Sequence, residues 1–159
     1  MACSLARGSD SKRKACGIPQ DEEHMTKLIE YVPWADFVFN PFWGCERLSN
    51  TCDNCYISTI KQVNKSGIRN SASILKFKKP HWNLPKKWNR LAAATGRRFR
   101  IACSVIGDVF TAIKGARSER EKLWKLIAQT PYLDWFVMTK NITLTHNELP
   151  FNMPDNLWI

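Results

Sequence analysis

Strand-like and helix-like segments alternate along this chain, and the alternation predicts an α/β fold: a partial (β/α) barrel of parallel strands, truncated at its C-terminus. Three observations carry that prediction. Phe37-Val38-Phe39 is a short apolar strand that leads into a helical pattern, Phe99 to Ile106 is a buried-strand run followed by an amphipathic helix, and Trp135 to Met138 repeats the theme. The 159 residues suit about one domain. The expected division is a disordered basic tail over 1–25 and a folded α/β domain over 26–159.

Each element has a local reason. The first 24 residues mix Gly, Ser, Lys and Arg with isolated cysteines and show no apolar periodicity, as a mobile tail does. Tyr31 to Trp43 is aromatic and punctuated by Pro33 and Pro41, so its strand is short. Tyr56, Ile57, Ile60 and Val63 recur at helical spacing, with Ser49, Asn50 or Thr51 as the expected cap and Gly67 as the stop. Pro80 and Pro85 are read as loop breakers, leaving Trp88 to Ala94 as a short helix. Phe99 to Ile106 fills with apolar residues and is closed by Gly107-Asp108. Ser118-Glu119-Arg120-Glu121 fits a capping box, opening a helix that carries Leu123, Trp124 and Ile127 on one face and stops before Pro131. Trp135 to Met138 is a strand ending at Thr139-Lys140, and Asn156-Leu157-Trp158-Ile159 is a last strand met by the chain end.

Composition narrows the class. With 44% apolar residues and seven tryptophans the chain can bury a core. No run of about 18 apolar residues exists, so no transmembrane helix is expected. Met1 to Gln20 lacks the apolar stretch of a secretory signal, which points to a protein kept in the cytoplasm. In a reducing compartment clustered cysteines bind metal or do redox chemistry more often than they form disulfides. The net charge is +10, and twelve of the 24 Lys and Arg fall between Asn54 and Gly107, where no Asp or Glu occurs. Such a stretch attracts nucleic acid or a phosphorylated ligand, unless acids elsewhere in the fold pair with it. Phe77, Trp82, Trp88 and Phe99 interleave with it, a combination that can stack bases or simply build a core.

The main chemical signal is Cys45-x6-Cys52-x2-Cys55. Cys52 and Cys55 are expected on one face of the first turn of a helix, with Cys45 swinging in from the loop before it. Unpaired amides at such a helix start stabilise thiolates. Three thiolates suit a [4Fe–4S] cluster with one open iron, whereas structural zinc wants a fourth ligand, for which Cys103, Cys16, His24 and His81 are candidates. Residue types alone leave iron–sulfur, zinc and merely packed cysteines all open.

A longer pattern surrounds the cysteines: Trp34-x-Asp36, Phe39, Asn40-Pro41-x-x-Gly44-Cys45, then Cys52-Asp53-Asn54-Cys55-Tyr56. It resembles the phage and prophage three-cysteine-motif proteins, a family of unknown function regarded as radical-S-adenosylmethionine-like. Pro80 to Trp88, Cys103 to Phe110, Leu126 to Lys140 and Asn156-Leu157-Trp158 are similar to later parts of that family. The six-residue gap differs from the C-x3-C-x2-C of ordinary radical enzymes, and Asn141 stands where the family usually has Arg. The resemblance implies a [4Fe–4S] cluster on Cys45, Cys52 and Cys55, S-adenosylmethionine as co-substrate, and reductive cleavage that releases a 5′-deoxyadenosyl radical. It also implies a bacterial host or phage-infected cell, and a chain that ends where family members continue, so that a partner protein could complete the barrel.

Strand ends supply the remaining candidates. In barrel-type folds, polar residues at the C-terminal ends of strands line the site, which nominates Ser104, Asp108, Thr139 and Lys140 as cofactor- or ligand-binding residues. Asp108 can take a hydroxyl and Lys140 a carboxylate or phosphate. Three readings follow: a radical-type iron–sulfur enzyme, a non-catalytic zinc-bearing nucleic-acid module, and an inactive remnant.

Overall fold

A computed structural model describes residues 32–59, 74–76 and 79–159. The tail expected over 1–25, the continuation of the first expected helix beyond residue 59, and the zinc candidates Cys16 and His24 lie outside these residues.

Four parallel strands form the main sheet, in the spatial order β1 (Phe37–Phe39), β4 (Phe99–Cys103), β5 (Leu133–Val137) and β6 (Leu157–Trp158). A small antiparallel pair, β2 (Phe42–Trp43) with β3 (Leu75–Lys76), stands apart from it. Helix α1 (Lys79–Thr95) precedes β4, α2 (Ala116–Ala128) joins β4 to β5, and α3 (Ile142–Glu148) joins β5 to β6. The α/β class and the parallel strands are as expected, and the strand order follows the chain order, as in a stretch of barrel wall.

The register explains how a short sheet makes two distinct faces. Phe37, Ile101, Trp135 and Leu157 are aligned across the four strands, and Val38, Ala102, Phe136 and Trp158 form the adjacent row on the opposite face. The first row, with Phe39, Phe99, Leu133 and Val137, packs against Trp88 and Ala92 of α1 and Leu123 and Ile127 of α2. Phe37 stacks on Trp88 with ring centroids 4.5 Å apart and planes 6° from parallel. The second face is covered by connecting segments instead, with Val32, Ala35, Ile57, Val105 and Ile106 packed on Val38 and Ala102. At the sheet edge Trp34, Phe136 and Trp158 form a chain of ring contacts.

Several local expectations are corrected. Pro80 and Pro85 do not end a helix, because α1 runs through both. Pro80 sits in the first turn, where its missing N–H has no intrahelical partner in any case. Helix α1 ends in a Schellman turn: Gly96 adopts φ 65°, and the Arg97 amide reaches back to the Ala92 carbonyl at 3.2 Å. Ser118 does not open α2. The helix starts two residues earlier behind Gly115 at φ 90°, and the Ser118 hydroxyl donates to the Gly115 carbonyl instead of capping. The strand expected over 99–106 stops at Cys103, since Ser104 turns into the left-handed region at φ 67°. Helix α3 is absent from the sequence reading, although Asn141 caps it by accepting the Leu144 amide at 3.1 Å.

Candidate functional site

The segments that follow β1, β4 and β5 enclose a cavity of about 210 Å³. In parallel α/β sheets this carboxyl edge is where ligands bind, because the loops there can vary while the strands hold them in place. From the β1 side come Cys45, Glu46, Leu48, Cys52 and Cys55, from β4 Ser104, Val105 and Asp108, and from β5 Met138, Thr139 and Lys140. All three motif cysteines and all four strand-end candidates therefore border one space.

The cysteine loop is not the expected helix start. Asn50–Cys52 and Tyr56–Thr59 are two short 3-10 turns, with Cys52 closing the first and Cys55 just before the second. Ser49 holds the cap position, but its hydroxyl bonds to that of Thr51 rather than to a backbone amide. Cys45, Cys52 and Cys55 are half-buried and form no disulfide. The Cys52 thiol is held below its ordinary pKa by backbone hydrogen bonds from Leu48 and Ser49, with help from the Lys140 charge. The loop thus supplies the amide donors expected of it, through a different backbone path. Among the described residues no group of three or more His, Cys, Asp or Glu side chains stands in metal-holding geometry.

Three contacts tie this loop to the β4 segment. Glu46 accepts hydrogen bonds from the Ala112 amide at 2.9 Å and the Thr111 hydroxyl at 3.2 Å. The Tyr56 hydroxyl donates to the Val105 carbonyl. Gly44 forms a parallel bridge with Gly107, and a Cβ on Gly107 would lie 3.0 Å from the Gly44 carbonyl oxygen. Glu46 was not singled out from the sequence, and Gly107 was read only as closing the strand with Asp108; the glycine before Cys45 is the local signal that could have pointed to a close backbone approach.

The four strand-end candidates divide into two pairs. Asp108 accepts from the Phe110 amide and the Thr139 hydroxyl on Oδ1, and from the Lys140 amide on Oδ2, at 2.8–2.9 Å. Thr139 in turn accepts from the Asn141 amide at 3.0 Å. These two side chains staple the β4 segment to the β5 segment. Ser104 is different: it is 3% exposed, and its hydroxyl has no hydrogen-bond partner among the described residues. A non-glycine residue at φ 67° costs about 1–2 kcal/mol, and an unsatisfied buried hydroxyl costs about 1–3 kcal/mol more. Lys140 is exposed, borders the same cavity and makes no ion pair among the described residues.

Two proposed fourth ligands for zinc sit elsewhere. Cys103 is fully buried on the helix-covered face, and burial drives its thiol pKa far up. His81 stacks on Phe39, and its Nε2 lies 2.7 Å from the Asn40 carbonyl oxygen; burial lowers its pKa. Neither borders the cavity.

The basic stretch is partly neutralised by tertiary pairing. Asp36 binds Arg97 and approaches Arg100 at 3.9 Å, Asp134 binds Arg98 at 2.6 Å, and Lys76 reaches buried Glu119 at 3.2 Å. Lys86, Lys87 and Arg90 remain exposed on α1. Of the interleaved aromatics, Trp88 and Phe99 are core residues and Trp82 packs against the core, while Phe77 lies outside the described residues. No helix among the described residues is long and apolar enough to cross a membrane.

No curated protein and no solved structure matches the chain. One family model does, over residues 30–159, and its description, "Protein of unknown function (DUF5131)", names neither a phage source nor radical chemistry. The matched span holds the cysteine loop, the whole parallel sheet and every residue bordering the cavity, and the chain belongs to the DUF5131 family.

Proposed function

We propose that this protein is an iron–sulfur protein of the radical S-adenosylmethionine type, with Cys45, Cys52 and Cys55 holding a [4Fe–4S] cluster at the carboxyl edge of the sheet. One observation carries the reading: three half-buried thiols from a single loop border the same cavity as the strand-end residues of β4 and β5. The donor set fits such a cluster, since three thiolates leave one iron for a small ligand. Of the fourth ligands that structural zinc would need, Cys103 and His81 are turned to other tasks, and Cys16 and His24 lie outside the described residues. When bound, the cluster supplies the single electron that reductively cleaves the sulfonium of S-adenosylmethionine.

The chain's own residues do the rest. Backbone donors from Leu48 and Ser49 favour the thiolate at Cys52, the form that ligates iron. Glu46, Tyr56 and the Gly44–Gly107 bridge fix the base of the loop against the β4 segment. Because no three His, Cys, Asp or Glu side chains among the described residues stand in metal-holding geometry, loading on this reading draws the thiols of the loop together between these anchors. Val105, Ile57 and Met138 supply apolar cover that limits water around the site.

Anaerobic reconstitution with ferrous iron and sulfide tests this. The expected result is a brown protein with about four irons and four sulfides per chain, a reduced-state electron paramagnetic resonance signal that changes on adding S-adenosylmethionine, and loss of both in Cys52→Ala. Zinc bound in preference to iron, with steeply salt-dependent nucleic-acid binding that Lys86→Glu and Arg90→Glu abolish, would establish the module reading instead.

A further inference from the structure

Among the side chains bordering the cavity, most polar groups are already committed. Both oxygens of Asp108 accept from the protein, Thr139 donates and accepts within the same staple, and Glu46 holds the Thr111–Ala112 turn. Arg47 is paired with Asp53 at 2.7 Å. Two groups remain uncommitted. The Ser104 hydroxyl is buried without a partner among the described residues and sits in a left-handed backbone conformation, and such costly arrangements cluster at active sites and ligand clamps. Lys140 brings a cation to the same cavity, and its backbone is held in place by Asp108.

We propose that Ser104 and Lys140 form a subsite for an oxyanion, the carboxylate or phosphate of a small substrate, with Lys140 neutralising the charge and the Ser104 hydroxyl donating to one oxygen. The surrounding Val105, Met138 and Leu48 fit an apolar remainder of that substrate. This assigns a substrate class to the cavity described above; it rests on that cavity being the working site and is independent of the cluster itself. It also accounts for the strain, because Ser104 lowers the stability of the empty protein and gains its partner only when the site fills. Asp108 and Thr139 are positioning residues in this arrangement, touching Lys140 rather than the ligand.

Calorimetric titration of the full-length protein at low ionic strength, with citrate and with pyrophosphate as separate probes, tests the proposal. Saturable binding of at least one is expected, citrate alone marking a carboxylate site and pyrophosphate alone a phosphate site. Lys140→Met and Ser104→Ala should each weaken it about tenfold or more, with Lys86→Met unchanged as the surface-charge control. Ser104→Gly, which relieves the left-handed residue and removes the orphaned hydroxyl, should weaken binding while raising the melting temperature of the empty protein by about 2–4 °C. No saturation by either probe, wild-type affinity in both Lys140→Met and Ser104→Ala, or a lower melting temperature in Ser104→Gly would each overturn it. Iron content after reconstitution, measured on the same variants, separates the two claims. Oxyanion binding without iron uptake removes the cluster and leaves the subsite, and iron uptake without oxyanion binding does the reverse.

Discussion

Gly107 shows how one missing methyl sets the position of a cysteine. An alanine there would put its Cβ 3.0 Å from the Gly44 carbonyl oxygen, so the backbone leading into Cys45 must give by a few tenths of an ångström, and backbone yields less readily than a flexible side chain. Gly107→Ala should cost about 1–3 kcal/mol in urea unfolding, as overpacked sites do, and should lower iron uptake. An unchanged midpoint would show that the bridge is dispensable. A second residue-scale prediction concerns Glu148. Its carboxylate lies 2.8 Å from buried Arg120, whose hydrogen bond holds the Glu148 pKa below the ordinary value. A depressed carboxylate pKa contributes stability above the unfolded-state value, and that contribution is lost as pH falls through the lower folded-state value. Glu148→Gln should therefore be less stable by about 1–3 kcal/mol at neutral pH, with the gap to wild type closing as the pH is lowered through the acidic range. Chemical denaturation at a series of pH values measures this, and a gap that persists in acid would show that the ion pair is not its source. The cysteine spacing and the strand-end polar residues were legible in the sequence because they are local. The partners that distinguish Ser104 from Asp108 were not, since Asp108 bonds to residues 31 and 32 positions away.

At the scale of elements, periodicity located the strands better than the helix boundaries. The strand cores of β1, β4, β5 and β6 were visible as apolar runs: β1 and β4 are almost wholly buried, which leaves little room for polar residues, and β5 and β6 bury alternate residues. Helix α1 was obscured by its two prolines, which are breakers only when the surrounding packing does not hold the helix together. Here Leu84, Trp88 and Ala92 are buried against the sheet, and that burial outweighs the interior Pro85. Helix α3 is short and has no buried residue, so it carried no amphipathic pattern to read. Its stability depends on Asn141, whose side chain caps the helix and also donates to the Phe110 carbonyl at 2.8 Å. Asn141→Ala should cost about 1–2 kcal/mol in thermal or chemical unfolding, and because the Asn141 side chain also ties the start of α3 to Phe110, hydrogen exchange of the neighbouring Lys140 amide should quicken with it. Equal exchange in the variant and wild type would place the support of Lys140 elsewhere.

For the whole molecule, the sheet presents one face to helices and a second to connecting segments, and the cavity belongs to the carboxyl edge where the second set begins. Anything that binds this edge ties the β1, β4 and β5 segments to one another and stabilises the folded state by mass action. Loading iron and sulfide should therefore raise the melting temperature, a chelator applied after oxidation should return it, and Cys45→Ala should show neither shift. A melting temperature indifferent to loading would count against a cluster at this edge. The excess positive charge is a property of composition, yet Asp36 and Asp134 pair with Arg97, Arg98 and Arg100, three of the twelve basic residues of the stretch, so the surface that remains for a polyanion is somewhat smaller than the bare stretch suggested. Class, strand cores and the three-thiol loop could be read from the chain alone, since apolar period and cysteine spacing are written within a few residues of one another. Which polar groups are satisfied, which cysteine faces the core and which charges cancel depended on partners distant in sequence, and only the packing of the sheet brings those partners within hydrogen-bonding reach.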